Sequence, residues 1–197
     1  MSLQLAPGVT FDEAKHEYWH KGKKLSGITG MVSKKLGLKY DNAFVSEHAE
    51  EGIHVHKAIQ RWIEAGNPES VHPGVQWLVN TFESQECFKR KEDSPRFWET
   101  FSEVLVSDKK QYASAVDIVC DFGIGLKEGL VLWDIKKGVF KREYVTWQLS
   151  VYKYLIEKFT NFWVHDCICA CLKDKEYYPI FPKPAGEVEK LLYGVAA

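Results

Sequence analysis

The sequence predicts an α/β protein in which helices flank a mixed β-sheet. Segments of helical type and apolar segments of strand type follow one another in the order helix, three strands, helix, strands. The 197 residues are enough to bury one sizeable core. We therefore expect a single domain over residues 1–197, with a helical part at about 26–90 and a sheet core at about 100–182.

The N-terminal half begins with short strands and continues with helices. Turn residues separate the strands, and glutamates in the first turns of the longer helix suit its dipole. The predicted elements are strands at Val9–Phe11 and Glu17–His20, a short helix capped by Ser26, a helix from about Glu47 to Ala65 capped by Ser46, a helix at Gly74–Glu86 and a charged loop at Lys89–Pro95.

The second half has the pattern of a sheet. Its strands are apolar with turn residues between them, and its main helix carries an apolar stripe. The predicted strands are Phe101–Ser107, Tyr112–Phe122, Leu130–Lys136, Val164–Leu172 and Glu176–Phe181, and the predicted helices are Tyr144–Phe159 and Glu187–Tyr193.

Composition restricts the class of protein. Hydrophobic residues make up 45% and charged residues 27%, as in ordinary soluble globular proteins. The sequence has no apolar run of roughly 18 residues and no signal-peptide pattern, so we expect a cytoplasmic protein without membrane association. Five cysteines, with Cys167, Cys169 and Cys171 alternating along one strand, predict small buried hydrophobes rather than disulfides.

Two aspartates face each other across the hairpin formed by the second and third strands of the sheet core. A symmetric turn in the glycine-rich linker pairs residues whose numbers sum to 251. Asp117 then lies opposite Asp134 with Cβ atoms ~5 Å apart, and Lys136 points to the same face. The apolar residues divide into Val116, Ile118, Cys120, Phe122, Val131, Trp133 and Ile135 on one face and Val119 and Leu132 on the other.

The aspartate pair allows two interpretations. Opposed carboxylates in a buried sheet repel each other and lose hydration, which costs several kcal/mol unless something compensates. A divalent cation would compensate, and magnesium prefers such hard oxygen ligands. In the other interpretation, Lys136 neutralises one aspartate in a salt-bridge cluster.

Helical phase separates two neighbouring histidines. At 100° per residue, His56 falls on the apolar stripe of the Glu47–Ala65 helix, while His54 is rotated by about 200° and faces water. The stripe contains Ala49, Gly52, Ile53, Ile59 and Ile63, and the polar side contains Glu50, Lys57 and Arg61. His56 is therefore either a core histidine or a metal ligand.

A glutamine lies in the middle of the apolar stripe of the Tyr144–Phe159 helix. Gln148 must be hydrogen-bonded there, because an unsatisfied buried amide costs ~1–3 kcal/mol. Its partner is either a backbone group or a functional side chain, and Tyr152, one turn further, is equally compatible with the core. Glu103, on the strand before the hairpin, is either an exposed strand-end carboxylate or part of the same site.

These residues follow the order and spacing of a known family. Glu103, Ser114-Ala115-Val116-Asp117, Asp134-Ile135-Lys136 and the pair Gln148 and Tyr152 closely resemble the RecB-like branch of the PD-(D/E)XK nucleases. The G-x-x-x-H helix of that branch is matched by Gly52 to His56, and its S-x-x-T element by Ser26 to Thr29. The resemblance covers about residues 17–160, and it is specific through the combination of motifs rather than through any one of them.

The resemblance implies a restriction-endonuclease-like core and metal-dependent hydrolysis of DNA phosphodiester bonds, with an exonuclease as the expected type. Mg²⁺ or Mn²⁺ would be bound by His56, Asp117, Asp134 and the main-chain carbonyl of Ile135. Lys136 would orient or activate the attacking water, and Glu103 would complete the catalytic set. The expected substrate-binding residues are Gln148, Tyr152, Ser26 and Thr29.

The chain also departs from the family pattern. Val116 stands where the family name has proline, as is common in this branch, and Ser114 stands where a glycine is expected. Members that bind an iron–sulfur cluster have one cysteine upstream and three near the C-terminus. No cysteine precedes Cys87 here, and the spacing at 167–171 does not match, so no cluster is expected.

The resemblance implies DNA as partner, in recombination, repair or phage replication, beside a helicase or annealing protein; an oligomer is possible. The net charge of −1 means that DNA binding would depend on a local basic patch. The basic residues near the site strands, which are otherwise a solvated face, are Lys109, Lys110, Lys137, Lys141 and Arg142.

Two alternative functions remain at this point. One is a nucleic-acid-binding module on the same fold that has lost catalysis, which the intact Asp/Asp/Lys set disfavours. The other is a zinc metallohydrolase that uses His54, His56 and His72. It is disfavoured because His54 and His56 diverge by about 200° on one helix and cannot share an ion.

Overall fold

A computed structural model describes residues 3–37, 42–66, 72–84, 98–122 and 129–194. These parts of the chain contain eight strands and five helices. The strands are β1 (Val9–Asp12), β2 (Glu17–His20), β3 (Lys23–Gly27), β4 (Trp98–Ser107), β5 (Tyr112–Phe122), β6 (Gly129–Lys136), β7 (Trp163–Cys171) and β8 (Glu176–Ile180). The helices are α1 (Ile28–Lys35), α2 (Asn42–Ala65), α3 (Pro73–Ser84), α4 (Arg142–Phe159) and α5 (Ala185–Tyr193).

The strands form one mixed sheet, which confirms the predicted α/β class. β1, β2 and β3 are antiparallel neighbours, and β3 pairs in parallel with the start of β5. β4 and β6 are antiparallel to β5, while β7 is parallel to β6 and antiparallel to β8. The helices bury apolar residues against both faces of this sheet.

One edge of β5 is shared by two different strands. β4 pairs with β5 over Ala113–Phe122 and so occupies one whole edge. On the other edge, β3 pairs only with Tyr112 and Ala113, and β6 pairs only with Ile118–Phe122. Residues 114–117 therefore lie in a fork, between the point where β3 ends and the point where β6 joins.

The pairing of β5 with β6 confirms the predicted register, because the paired residue numbers sum to 251, as in Ile118 with Trp133. The predicted division of faces holds for most of the hairpin. Ile118, Cys120, Val131, Trp133 and Ile135 pack with α2 and α3, while Val119 and Leu132 pack on the opposite face with α4.

Val116 is the exception, and its predicted face is wrong. Val116 packs in the same cluster as Val119, although strict alternation would place the two on opposite faces. Its cross-strand partner Val104 behaves in the same way relative to Phe101. The alternation therefore shifts by one residue at Glu103 and Asp117, and Glu103 has a left-handed backbone with φ of 50°.

The largest differences from the predicted elements lie near the N-terminus. β3 was not predicted, and Ser26 lies in it instead of capping α1, whose N-cap is Gly27 without a side-chain hydrogen bond. α2 begins at Asn42, so Ser46 is internal to the helix and does not cap it. The predicted loop at Lys89–Pro95 lies outside the described residues.

Two expectations about composition can be compared with the structure. Cys120, Cys167, Cys169 and Cys171 are buried and free, which confirms their prediction as small hydrophobes, while Cys87 lies outside the described residues. No helix in the described ranges is long and apolar enough to cross a membrane.

Candidate active site

Three acidic residues lie in one row across β4, β5 and β6. The pairs Ser102 with Ile118 and Val104 with Val116 flank Glu103 and place it beside Asp117. On the other side of β5, continuation of the register by one residue places Asp134 opposite Asp117. Asp117 lies at the fork, where neither β3 nor β6 forms a ladder pair with it.

His56 of α2 joins two of these acids. Its Nδ1 atom lies 3.4 Å from Asp117 Oδ1 and 3.5 Å from Glu103 Oε1. One ligand atom from each of the three residues lies within 4.8 Å of the others. The side chains of His56 and Glu103 are each 33% exposed and that of Asp117 is 13% exposed, so a small ion has access from solvent.

The second oxygen of Asp117 fixes the orientation of the carboxylate. Asp117 Oδ2 accepts a hydrogen bond of 2.6 Å from the backbone N–H of Ile135. Where the ladder between β5 and β6 ends, the side chain thus takes the place of a backbone acceptor. Oδ1 is left directed at His56.

Asp134 is held by a lysine rather than by the cluster. Its side chain is 1% exposed, and Lys136 Nζ donates to Oδ1 at 2.8 Å. The same ammonium lies 2.7 Å from Oδ2, but without the geometry of a hydrogen bond. Oδ2 is therefore a buried carboxylate oxygen with no hydrogen-bond partner in the described parts of the chain.

The two carboxylates next to His56 favour positive charge on its ring. Burial alone would lower the pKa of His56, but Asp117 and Glu103 raise it to about 9, so the ring is an imidazolium at neutral pH. Burial raises the pKa of Asp117, and His56 and Lys136 oppose that shift. The proton on His56 supplies the charge that the two carboxylates require when no cation is bound.

Lys136 and Asp134 form a second charged pair beside the cluster. Burial raises the pKa of Asp134 to about 6, against the opposing effect of Lys136. Burial alone would lower the pKa of Lys136, but Asp134 and Asp117 raise it instead, so the side chain stays an ammonium. Its Nζ also lies 5.6 Å from the ring centroid of Tyr144, within the range of a cation–π contact.

A buried hydrogen-bonded chain extends from Lys136 into α4. Lys136 Nζ donates to Gln148 Oε1 at 3.2 Å, and Gln148 Nε2 donates to Tyr152 Oη at 2.8 Å. Tyr152 Oη lies 3.1 Å from Ser114 Oγ on β5. Burial raises the pKa of Tyr152 well above its usual value, so its hydroxyl keeps its proton.

The donor set of the cluster fits a divalent cation. Ligands at right angles around a small octahedral ion, at about 2.1 Å from it, lie about 3 Å apart. The two distances from His56 Nδ1, 3.4 Å and 3.5 Å, need only small adjustments to reach that separation. Asp134 Oδ2 is a further buried oxygen, ion-paired with Lys136 but without a hydrogen bond in the described parts of the chain. One imidazole with carboxylates suits Mn²⁺ better than Mg²⁺.

The predicted site residues are brought together in part. His56 faces the cluster while His54 is exposed, which confirms the predicted phase at these positions. Ile53 was expected on the buried stripe, but it is 54% exposed, because the buried stripe of α2 is centred on Val55 and Ile59.

The group of residues that could hold a metal ion differs from the expected ligand set. Glu103, expected to serve only in catalysis, belongs to the cluster, whereas Asp134, expected as a ligand, is turned toward Lys136. Ile135 contributes its N–H to Asp117, and the expected role of its carbonyl stays a prediction.

The four expected substrate-binding residues have different surroundings. Gln148 and Tyr152 are only 2–3% exposed and are hydrogen-bonded behind Lys136, so their expected contact with substrate stays a prediction. Ser26 is exposed on β3 and Thr29 is half-buried in the first turn of α1, and their contact with substrate stays a prediction.

Two residues near the site were missed. Tyr144 lies one turn before Gln148 on α4, and its ring lies close to Lys136. Its position at the start of the apolar stripe that contains Gln148 could have indicated that it lies near the site. Tyr18 on β2 lies close to Ser114 and Ala115 of β5, and burial raises its pKa. No sequence pattern connects β2 with the fork, because β2 reaches it through the non-local pairing of β3 with β5.

Two further observations concern the alternatives. His72 Nδ1 accepts a hydrogen bond from the backbone of Gly74, and His72 is not part of the metal-ligand group found among the described residues, so the zinc alternative gains no support. The sequence matches no protein-family model, and a search of curated proteins finds no match either.

Proposed function

We propose that the protein is a divalent-metal-dependent deoxyribonuclease with a restriction-endonuclease-like fold of the PD-(D/E)XK type, acting on DNA as an exonuclease. The observation that carries this proposal is the group of His56, Glu103 and Asp117 at the fork, beside the Lys136–Asp134 pair. Recombination, repair or phage replication as its setting, and a helicase or annealing protein as its partner, rest on the sequence resemblance.

The site's chemistry suits hydrolysis of a phosphodiester. A bound Mg²⁺ or Mn²⁺ supplies charge neutralisation on the phosphate and readies a water molecule for attack. Without such a cation, two partly exposed carboxylates would repel a phosphate, even with His56 protonated.

Lys136 has the position and charge to act on the substrate. Its side chain is 24% exposed, and its ammonium is held by Asp134 and Gln148 beside the acidic row. An ammonium there stabilises the charge on a phosphate oxygen and orients the water molecule by donating hydrogen bonds. Asp134 keeps this lysine protonated.

Basic residues lie at the end of the sheet where β6 stops. β5 and β6 are antiparallel, so the β4–β5 turn with Lys109 and Lys110 lies at the same end as the connection from β6 to α4. That connection and the first residue of α4 contribute Lys137, Lys141 and Arg142, which follow Lys136 closely. Their position beside the site supports the proposal that they contact DNA phosphates.

The proposal is tested with linear and circular DNA labelled at the 5′ or the 3′ end. Incubation with Mn²⁺ or Mg²⁺ should degrade linear DNA from an end and spare circular DNA, and EDTA should stop the reaction. Asp117→Asn should abolish cleavage, while Asp166→Asn, at an exposed position on β7, should not. Undiminished cleavage in EDTA, or equal activity of Asp117→Asn, would contradict the proposal; DNA binding without cleavage would favour the inactive binding module.

A further inference from the structure

The hydrogen-bonded chain behind Lys136 ends on a residue of β5. The chain passes from Lys136 through Gln148 and Tyr152 to Ser114, with donor–acceptor distances of 3.2, 2.8 and 3.1 Å. Gln148, Tyr152 and Ser114 are each only 2–3% exposed. Groups buried to this extent depend on one another for hydrogen bonds. Loss of one group should therefore change the hydrogen bonds of the others in this series.

The direction of each hydrogen bond follows from Lys136. An ammonium has donors only, so the Gln148 amide must turn its oxygen to Lys136 and its NH₂ group to Tyr152. Tyr152 Oη then accepts a hydrogen bond, and its own proton needs an acceptor. Ser114 Oγ, at 3.1 Å, is in position to accept a hydrogen bond from it.

We propose that Ser114 is a positioning residue for Lys136. Ser114 accepts a hydrogen bond from the Tyr152 hydroxyl, and Tyr152 and Gln148 in turn hold the Lys136 ammonium in place. This inference rests on the proposed function, because it concerns the part of Lys136 in cleavage. The nuclease family that the sequence resembles has glycine expected at this position, and glycine has no hydroxyl. The arrangement is therefore a feature of this chain.

Removal of the Ser114 hydroxyl should reverse the orientation of the Gln148 amide between Lys136 and Tyr152. In Ser114→Ala, the Tyr152 proton lacks its acceptor, and Gln148, 2.8 Å away, can accept it by turning its oxygen toward Tyr152. That turn directs the NH₂ group at Lys136, so that two donors face each other. Lys136 then keeps its hydrogen bond to Asp134 but loses the one to Gln148.

The kinetic test uses the full chain with duplex DNA and Mn²⁺. Ser114→Ala should lower turnover about 10-fold, the effect of one well-placed hydrogen bond, while KM for DNA and the Mn²⁺ concentration for half-maximal activity change less than about 2-fold. The double variant Ser114→Ala/Tyr152→Phe should cut faster than Ser114→Ala, because it has no phenolic proton to compete for the amide oxygen. A purely structural role predicts the opposite order, since the double variant loses more buried contacts.

A matched control is available on α4. Ser150 is a buried serine whose Oγ donates to Thr146 O at 2.5 Å and accepts from the backbone N–H of Lys183 at 2.8 Å, away from Lys136. Ser150→Ala should lower the melting temperature without changing turnover at temperatures where the variant is folded. Wild-type turnover in Ser114→Ala, or a double variant slower than Ser114→Ala, would overturn the proposal.

A second measurement does not depend on cleavage. In NMR spectra of the protein without DNA, the Gln148 side-chain NH₂ protons should show nuclear Overhauser effects to Tyr152 in the wild type and to Lys136 in Ser114→Ala. An unchanged amide orientation in Ser114→Ala would overturn the inference about Ser114. If the wild type cut no DNA, the proposed function would fail, and the amide orientation would still decide whether Ser114 positions Lys136.

Discussion

His56→Ala should weaken metal binding, while His54→Ala should leave it unchanged. The two residues are two positions apart on α2, but His56 contacts Asp117 and Glu103, and His54 is exposed to solvent. The pair therefore offers a substitution and a matched control that remove the same side chain from the same helix. The comparison separates a ligand from a histidine that serves the fold.

The loss of metal affinity in His56→Ala depends on pH, because the ion must displace the proton on His56 in the wild type. Loss of even outer-shell partners of a metal site costs 10- to 100-fold in affinity, so His56→Ala should cost about 10-fold or more above about pH 8.5, where the proton on the wild-type ring competes least. At about pH 7.5, a pKa of about 9 makes removal of the proton cost about 2 kcal/mol, at about 1.4 kcal/mol per unit. His56→Ala removes this cost together with the ligand.

The sign of the pH effect follows from these two contributions. Below a pH of about 9, wild-type affinity should rise by roughly tenfold per pH unit as the competing proton becomes scarcer. His56→Ala should show a smaller slope. The deficit of the variant should therefore be small near about pH 6.5 and largest above about pH 8.5, where the wild-type ring is more often neutral.

Isothermal titration with Mn²⁺ in the absence of DNA measures these affinities. Titrations in buffers of different ionisation enthalpy should show close to one proton released per ion for the wild type at about pH 7.5, and fewer for His56→Ala. Melting curves recorded alongside report any loss of stability. Equal affinity and equal proton release in the wild type and His56→Ala would refute the assignment, as would a metal-binding defect caused by His54→Ala alone.

Four further outcomes are expected. Asp117→Asn should abolish cleavage and keep DNA binding, or tighten it, because carboxylate–phosphate repulsion falls; a filter-binding assay beside a cleavage assay checks both. Lys136→Ala should lower turnover by orders of magnitude in single-turnover kinetics and change Mn²⁺ affinity little, so a fully active variant would contradict its role. Gly74→Ala should destabilise by about 1–3 kcal/mol in urea unfolding, because the added Cβ would lie 2.6 Å from Leu172 Cβ and 2.9 Å from its carbonyl oxygen. On α1, the added Cβ of Gly30→Ala would meet no atom within 4 Å in the described parts of the chain beyond its neighbours and the helix's own backbone, so this variant should instead stabilise by about 0.5–1 kcal/mol.

Local periodicity was sufficient for the strands and helices that carry the site. The β5–β6 register followed from the position of the turn, and the helical phase placed His56 toward the site and His54 toward solvent. The presence of Gln148 on a buried stripe correctly indicated a hydrogen-bonded partner, which the structure identifies as Lys136 on one side and Tyr152 on the other.

The arrangement of the acids could not be predicted in the same way. The left-handed backbone of Glu103 is rare for a residue with a Cβ atom, and it accompanies the shift in alternation that brings Glu103 to His56. The attraction of Lys136 for Asp134 depends on a side-chain conformation that spacing does not specify. The fork depends on the pairing of β3 with β5, which joins residues more than eighty positions apart.

The most direct test of the account is a crystal of the wild-type protein soaked with Mn²⁺ and measured at a wavelength where manganese scatters anomalously. We predict an anomalous peak within bonding distance of His56, Glu103 and Asp117. This peak should be absent in crystals of Asp117→Asn. A wild-type protein that cleaves DNA in Mn²⁺ but shows its peak elsewhere, or no peak at this cluster, would contradict the central claim.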